Sequence, residues 1–256
     1  MNFEINHLPP RSQKPRNNGL TMVMDKGLSL RQTEDFIESG AEFTDLVKLG
    51  WSTSLVTPRL EEKLQLYRNA GLPVYFGGTL FEAFLIRNQL EDYIRLVEKF
   101  KLDYVEVSDG SITIEHDLKC EYIRQMSKYA TVISEVGSKD TTKIMAPYKW
   151  IKLMQAELDA GSWKIIAEAR ESGNVGLYRE SGEVREGLVD EILNQVKSEN
   201  IIWEAPLKSQ QVWFIQLVGS DVNLGNIAPN EIIPLETTRL GLRGDTFFDF
   251  LPKDAF

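Results

Sequence analysis

The chain has 256 residues, 42% of them hydrophobic, which is enough to bury a sizeable core in one large domain or two small ones. Its formal net charge of −9, without a cluster of lysines and arginines, argues against a nucleic-acid-binding surface. No apolar run reaches the roughly 20 residues of a membrane-spanning helix, and the amino-terminal sequence lacks the apolar centre of a signal peptide. The single cysteine, Cys120, cannot form an internal disulfide, so we expect a soluble protein of the reducing cytoplasm.

The chain divides into a short arm and one domain. Residues 1–18 are polar, contain three prolines and predict an extended arm. Residues 19–256 show short linkers and no break in composition, which indicates a single domain. Within this domain, eight apolar runs alternate with segments whose apolar residues recur every three or four positions, as on one face of a helix. The runs are residues 19–25, 44–50, 72–78, 102–108, 131–137, 163–169, 200–205 and 221–227.

This alternation predicts a (β/α)8 TIM barrel, because eight strand–helix units in about 240 residues match that fold in number and length. Parallel barrel strands are buried on both faces, which explains why the runs are continuously apolar. The first two helical segments, "LRQTEDFIESG" and "RLEEKLQLYRNAG", each finish on a glycine, Gly40 and Gly71. We therefore expect both glycines in the position just after a helix.

Four of the predicted strands end in a glutamate. The carboxyl ends of barrel strands open onto the face that carries the chemistry of barrel enzymes, so these carboxylates should converge there. Ionised carboxylates that converge in a poorly solvated site must be neutralised, protonated or bridged by a cation. Mg²⁺ accepts carboxylates together with water and substrate oxygens, so we expect it at this site. The candidate ligands are Glu106, Glu135, Glu168 and Glu204.

A structural ring of ion pairs with Lys48, Lys139 and Arg170 is the alternative interpretation of these carboxylates. It is less favoured for the whole set, because so many buried ion pairs gain little over apolar packing. The only histidines, His7 and His116, lie in the arm and beside a helix start, where we expect surface positions. The site therefore lacks the residues of a zinc hydrolase or a histidine-dependent triad, and a general acid must be Lys, Glu or a bound water.

Lysines after the second and fifth strands suit an anionic substrate. Glycine-rich turns after the third and eighth strands offer backbone amides that can hold phosphate, as they often do in barrels. For the Gly-Gly pair, tight-turn chemistry alone is an open alternative. The residues that we assign to substrate binding are Arg170, Gly77, Gly78, Thr79, Asn223, Gly225 and Asn226.

Nine short blocks, in order over nearly the whole chain, resemble the phosphosulfolactate synthase family, and the ordered set is highly specific. The blocks are "GLTMVMDKGL", "VKLGWSTS", "YFGGTLFE", "EVSDG", "SEVGSKD", "EARESG", "EAP" with "QQ", "VNLGNI" and "LETTRLGLR".

The resemblance implies a TIM barrel that catalyses Mg²⁺-dependent addition of sulfite to phosphoenolpyruvate, giving (2R)-2-phospho-3-sulfolactate. Such a product feeds coenzyme M synthesis in methanogens and sulfolactate production in some spore-forming bacteria. Sulfite attacks C3, negative charge spreads from C2 into the carboxylate, and a general acid protonates C2. The lysine of the "EVGSKD" block, Lys139, is assigned the role of this acid, with Lys48 as the second candidate. The resemblance also implies a homo-oligomer.

Two other functions stay open at this point, because the family also includes plant heat-stress proteins and because a fold carries over more safely than an activity. One is a non-catalytic stress or interaction protein on the same barrel. The other is a related lyase that uses an enolpyruvate or another enolisable acid with a different nucleophile.

Overall fold

The computed structural model describes residues 2–137, 145–169 and 172–253. In these residues it contains eight parallel strands, which confirms the strand number expected from the apolar runs. The strands are β1 (Thr21–Asp25), β2 (Leu46–Leu49), β3 (Val74–Phe76), β4 (Tyr104–Val107), β5 (Thr131–Val136), β6 (Lys164–Ala167), β7 (Ile201–Glu204) and β8 (Leu224–Ile227).

Helices alternate with the strands, and none in the described residues is long and apolar enough to cross a membrane. They are α1 (Leu30–Gly40), α2 (Thr53–Val56), α3 (Leu60–Asn69), α4 (Gly78–Leu85), α5 (Leu90–Lys99), α6 (His116–Met126), α7 (Pro147–Asp159), α8 (Glu186–Leu193), α9 (Lys208–Val218) and α10 (Ile232–Arg239).

Local sequence signals explain several helix ends. Ser29 and Gln32 form a capping box at the start of α1, since each side chain accepts a hydrogen bond from the other residue's backbone N–H. Gly71 follows α3 with φ +68°, as expected for the glycine after a helix. The same expectation for Gly40 is wrong, because Gly40 is the last residue of α1 and Ala41 caps the helix in a right-handed conformation.

The strands form a single-domain (β/α)8 TIM barrel. Backbone pairing runs in the order β3-β2-β1-β8-β7-β6-β5-β4, and all pairs are parallel, with a register shift in the β1–β8 pair between Thr21 and Val23. β3 and β4 lie side by side, but the described ladder does not pair them. This leaves one seam in the barrel that side chains have to bridge.

A plug of buried, mostly apolar side chains lies in the barrel interior, below the carboxyl ends of the strands. Burial of each such side chain contributes about 1.5–3 kcal/mol. This plug consists of Met22, Leu46, Tyr75, Ile133, Ile166 and Ile202. A second, larger cluster lies between the outside of the strands and the helices.

The amino-terminal arm lies against the end of the barrel where the strands begin. Arg11 forms an ion pair with Glu236 of α10 at 2.9 Å, and Arg16 forms one with Asp45 at 2.9 Å, directly before β2. Because these contacts lie at the amino ends of the strands, the arm covers the face opposite the predicted site.

Candidate active site

The strand-end residues form a layer directly above the apolar plug. Successive side chains on a strand point to opposite faces, so a residue two positions after an inward-facing one also points inward. Four polar residues follow plug residues at this spacing: Lys48 after Leu46, Glu135 after Ile133, Glu168 after Ile166 and Glu204 after Ile202. The glutamates therefore end their strands because that position faces the mouth of the barrel and not its apolar centre.

These side chains line a cavity of about 440 Å³ at the carboxyl ends of the strands. Its polar lining includes all four predicted metal ligands. The residues around it are Met24, Lys48, Gly50, Trp51, Thr79, Glu106, Ser111, Glu135, Glu168, Ala169, Ser172, Glu204 and Asn226.

Lys48 lies at the centre of the acidic group. Its Nζ atom is 2.9 Å from Glu106 Oε2 and 3.7 Å from both Glu135 Oε2 and Glu204 Oε1. All four side chains are buried. Burial alone would lower the pKa of Lys48, but the carboxylates, Glu106 foremost, raise this pKa well above its ordinary value. Lys48 therefore carries its charge at neutral pH.

One lysine does not balance three carboxylates. Burial raises the pKa of Glu106 and raises that of Glu204 to about 8; Lys48 opposes both shifts and the Glu135 carboxylate adds to them. Neutralising this excess charge requires either protons or a further cation.

Glu106 has a second contact, across the seam between β3 and β4. Its Oε1 accepts a hydrogen bond of 2.7 Å from the backbone N–H of Gly78, the first residue of α4. Next to it, Glu82 of α4 accepts hydrogen bonds from the Ser108 hydroxyl and, at 2.7 Å, from the Ser111 N–H. Carboxylates thus replace the missing backbone ladder at this seam.

These contacts correct the expectation that Gly77 and Gly78 offer amides to a substrate anion. The Gly77 N–H donates to the Leu49 carbonyl at 3.0 Å, and the Gly78 N–H is used by Glu106. A protein carboxylate thus occupies the helix start, where backbone N–H groups favour an anion. Thr79, the third residue of that turn, does line the cavity.

The three residues assigned to the eighth strand end have different positions. Asn226 lines the cavity with φ +61°, and its side-chain oxygen is buried without a hydrogen-bond partner in the described part of the chain. Gly225 lies one layer lower, where a Cβ would come within 2.9 Å of Met22 and Ile202. Asn223 precedes β8, and its side-chain oxygen accepts a hydrogen bond from the Leu20 N–H at the opposite end of the barrel. Its assignment to substrate binding is therefore wrong.

The donors around the cavity fit Mg²⁺ better than a metal that needs a closed protein cage. Carboxylate oxygens of Glu135, Glu168 and Glu204 and the side-chain oxygen of Asn226 are the hard ligands that Mg²⁺ prefers. Across residues 2–137, 145–169 and 172–253, no three acidic, histidine or cysteine side chains converge as a preformed metal site. Mg²⁺ commonly keeps several waters and uses one or two carboxylates, so this looser arrangement suits it. The metal assignment stays a prediction.

One residue in the wall of the cavity, Trp51, is not predicted from the sequence. Trp51 follows β2 with φ +50°, and the Lys26 ammonium lies 4.9 Å from its ring centroid. The family-like block "GWSTS" contains this residue, but nothing in its spacing marks it as part of the cavity. Two assigned residues, Lys139 and Arg170, lie outside the described residues, so their roles stay predictions.

Solved structures with the same fold are distant in sequence. The barrel matches 3-hexulose-6-phosphate synthase from Salmonella typhimurium with a TM-score of 0.58 and 13% identity, covering 88% of this chain and 100% of that one. It also matches 3-keto-L-gulonate-6-phosphate decarboxylase from Vibrio cholerae with a TM-score of 0.56 and 11% identity, covering 92% and 100%. At these identities the likeness shows the fold alone.

Curated relatives are much closer. Phosphosulfolactate synthase of Methanothermobacter thermautotrophicus is 43% identical over 244 residues, covering 93% of this chain and 95% of that protein. Phosphosulfolactate synthase of Bacillus subtilis is 40% identical over 244 residues, covering 94% and 97%. The family model described as (2R)-phospho-3-sulfolactate synthase (ComA) matches residues 9–245. The acidic cavity around Lys48 lies at the carboxyl face of a TIM barrel, and the two relatives match 93% and 94% of the chain. The chain therefore belongs to the phosphosulfolactate synthase family of enzymes.

Proposed function

We propose that this enzyme adds sulfite to phosphoenolpyruvate and forms (2R)-2-phospho-3-sulfolactate in a Mg²⁺-dependent reaction. The observation that carries the proposal is the buried ammonium of Lys48 among three carboxylates, at the catalytic face of a barrel of this family. The 440 Å³ cavity is of the size that small-molecule sites have.

Sulfite is the nucleophile in this reaction, so the protein has to supply positive charge and not a nucleophile. The sulfur lone pair of sulfite forms the new bond to C3, the C2=C3 π bond breaks, and its electrons move towards the substrate carboxylate before C2 takes up a proton. Lys48, which is charged and buried, stabilises that developing negative charge in a poorly solvated site. Two of the carboxylates of Glu135, Glu168 and Glu204, together with the Asn226 oxygen, would hold Mg²⁺, which would supply further positive charge there.

The proton donor is best assigned to Lys139. The raised pKa of Lys48 makes this lysine a weak acid at neutral pH, which favours an electrostatic role for it over proton transfer. In the sequence, Lys139 comes three residues after Val136, the last residue of β5.

The direct test is incubation of the protein with phosphoenolpyruvate, sulfite and Mg²⁺, following the loss of enol absorbance and the mass of the product. We expect consumption of phosphoenolpyruvate only when sulfite and a divalent cation are both present. Failure to consume it with any divalent cation contradicts the proposal. Consumption with another nucleophile but not with sulfite would establish the related lyase instead.

A further inference from the structure

A second cluster of buried charges lies behind the cavity wall, around Lys119 of α6. This side chain is 2% exposed. Its Nζ atom is 2.7 Å from Asp109 Oδ1, 2.9 Å from Glu157 Oε1 of α7 and 2.5 Å from the backbone carbonyl oxygen of Glu135. The three donor hydrogens of the ammonium therefore reach the β4–α6 loop, α7 and the end of β5.

Lys119 reaches the Glu135 carbonyl because the backbone pairing between β4 and β5 ends one residue before Glu135. Pairing between β4 and β5 ends at Val107 and Ser134, after which β4 gives way to a loop while β5 continues to Val136. In a continued ladder, a backbone N–H of β4 would serve the Glu135 carbonyl. The Lys119 ammonium takes that place and fixes the peptide group from which the Glu135 side chain projects into the cavity.

A purely structural explanation of this cluster is weak. Burying a lysine and a carboxylate seldom stabilises a protein more than apolar packing of the same volume. The cluster also includes His116, whose Nε2 is 3.2 Å from Glu157 Oε1, while Asp109 is partly solvated. The Lys119 ammonium also donates a hydrogen bond to the main-chain oxygen of Glu135, directly behind the Glu135 side chain.

We propose that Lys119 is a positioning residue that sets the direction of the Glu135 side chain in the cavity, through the hydrogen bond to the Glu135 carbonyl. Its effect on turnover rests on the proposed function. Its effect on the backbone at the end of β5 does not, so the two can be tested separately.

The experiment compares the double variant Lys119→Met/Glu157→Gln with the wild type and with Arg124→Met. The double variant removes the ammonium without leaving Glu157 as an unpaired buried charge, and Arg124→Met is a matched change on the exposed face of the same helix. Hydrogen–deuterium exchange reports on the peptide of residues 131–137, with residues 201–205 as an internal reference. Steady-state kinetics report kcat and KM for phosphoenolpyruvate.

We expect faster exchange in residues 131–137 but not in 201–205, and a kcat lower by about 10- to 100-fold with KM changed less than about threefold, since a small misplacement of a site group costs this much. Arg124→Met should match the wild type in both readouts. Unchanged exchange over 131–137 overturns the proposal, whatever the turnover. Faster exchange with unchanged kcat also overturns it. If the wild type itself shows no turnover, the proposed function fails, and the exchange comparison alone decides whether Lys119 holds this strand end.

Discussion

Single side chains in the cavity divide into those that hold the site together and those that face its centre. Glu106 uses one oxygen for the Gly78 N–H and the other for Lys48, so both its oxygens serve the protein. Glu168 lines the cavity and is buried at 2% exposure. The four glutamates look equivalent in sequence, since each ends an apolar run, but their surroundings are different.

This difference predicts different responses to Glu→Gln changes. Glu106→Gln keeps an acceptor for Gly78 and should leave the Mg²⁺ concentration for half-maximal activity within about threefold of the wild-type value. Its kcat should fall, because Lys48 loses its nearest carboxylate. Glu168→Gln should raise that Mg²⁺ concentration at least about tenfold, because a proposed ligand loses its charge. A titration of activity with Mg²⁺ measures both. Equal Mg²⁺ dependence of the two variants would remove the distinction between them.

At the scale of elements, the seam between β3 and β4 has no room for an added side chain at Gly78. A Cβ on Gly78 would come within 2.7 Å of Ser108 Cβ and 2.8 Å of Glu106 Oε1. Gly78→Ala should therefore lower the free energy of unfolding by about 1–3 kcal/mol and reduce kcat.

The matched control is Gly187→Ala in α8, where a Cβ meets nothing within 4 Å. Alanine favours a helix over glycine by up to about 1 kcal/mol, so this variant should be neutral or slightly more stable. Urea unfolding of both variants gives the comparison. A Gly78→Ala protein as stable and active as Gly187→Ala would show that the seam tolerates a side chain.

Sequence patterns predict the elements of this protein better than its site contacts. Continuous apolar runs are enough to place eight buried strands, and the period of two then turns Glu135 and Glu204 inward. The same reasoning fails for Asn223, because a run such as "VNLGNI" does not show on which residue the strand begins. It fails for Gly78 as well, because the competing carboxylate, Glu106, is 28 residues away in the chain and local pattern cannot reveal it.

At the scale of the whole molecule, contacts of the amino-terminal arm with Asp221 make the free energy of unfolding depend on pH. Asp221 accepts hydrogen bonds from Ser12 and pairs with Arg11. Burial would raise the pKa of Asp221, but these contacts with Ser12 and Arg11 lower it below its ordinary value. A carboxyl whose pKa is lowered by folding stabilises the fold above its unfolded pKa of about 3.9, and this contribution disappears as pH falls through the folded pKa.

Asp221→Asn should therefore be less stable than the wild type at pH 6, by about 1 kcal/mol or less for such a partly solvated pair. Once the pH falls below the lowered, folded-state pKa of Asp221, the two proteins should approach equal stability. Urea unfolding of both proteins at pH 6 and over a series of decreasing pH values measures the difference. A gap that stays constant down to low pH would mean that the Asp221 charge does not hold the arm.

The homo-oligomer implied by the family resemblance stays a prediction, as does the cytoplasmic location. Leu55 and Val56 of α2 are 74% and 76% exposed, which leaves apolar surface beside the mouth of the barrel. Sedimentation velocity of the purified protein measures the oligomeric state directly.

In the reaction that we propose, the Lys48 ammonium, buried among glutamates, stabilises negative charge as sulfite adds to phosphoenolpyruvate. The most direct measurement follows [3-¹³C]phosphoenolpyruvate with sulfite and Mg²⁺ by NMR, for the wild type, Lys48→Met and the exposed-lysine control Lys152→Met. We predict that the wild type and Lys152→Met convert the vinyl carbon signal into that of a carbon bonded to sulfur. Lys48→Met should be slower by about 10²–10³-fold, the usual loss when a preorganised charge-stabilising group is removed. Conversion by Lys48→Met at the wild-type rate, or no carbon–sulfur product with the wild type, would contradict this account.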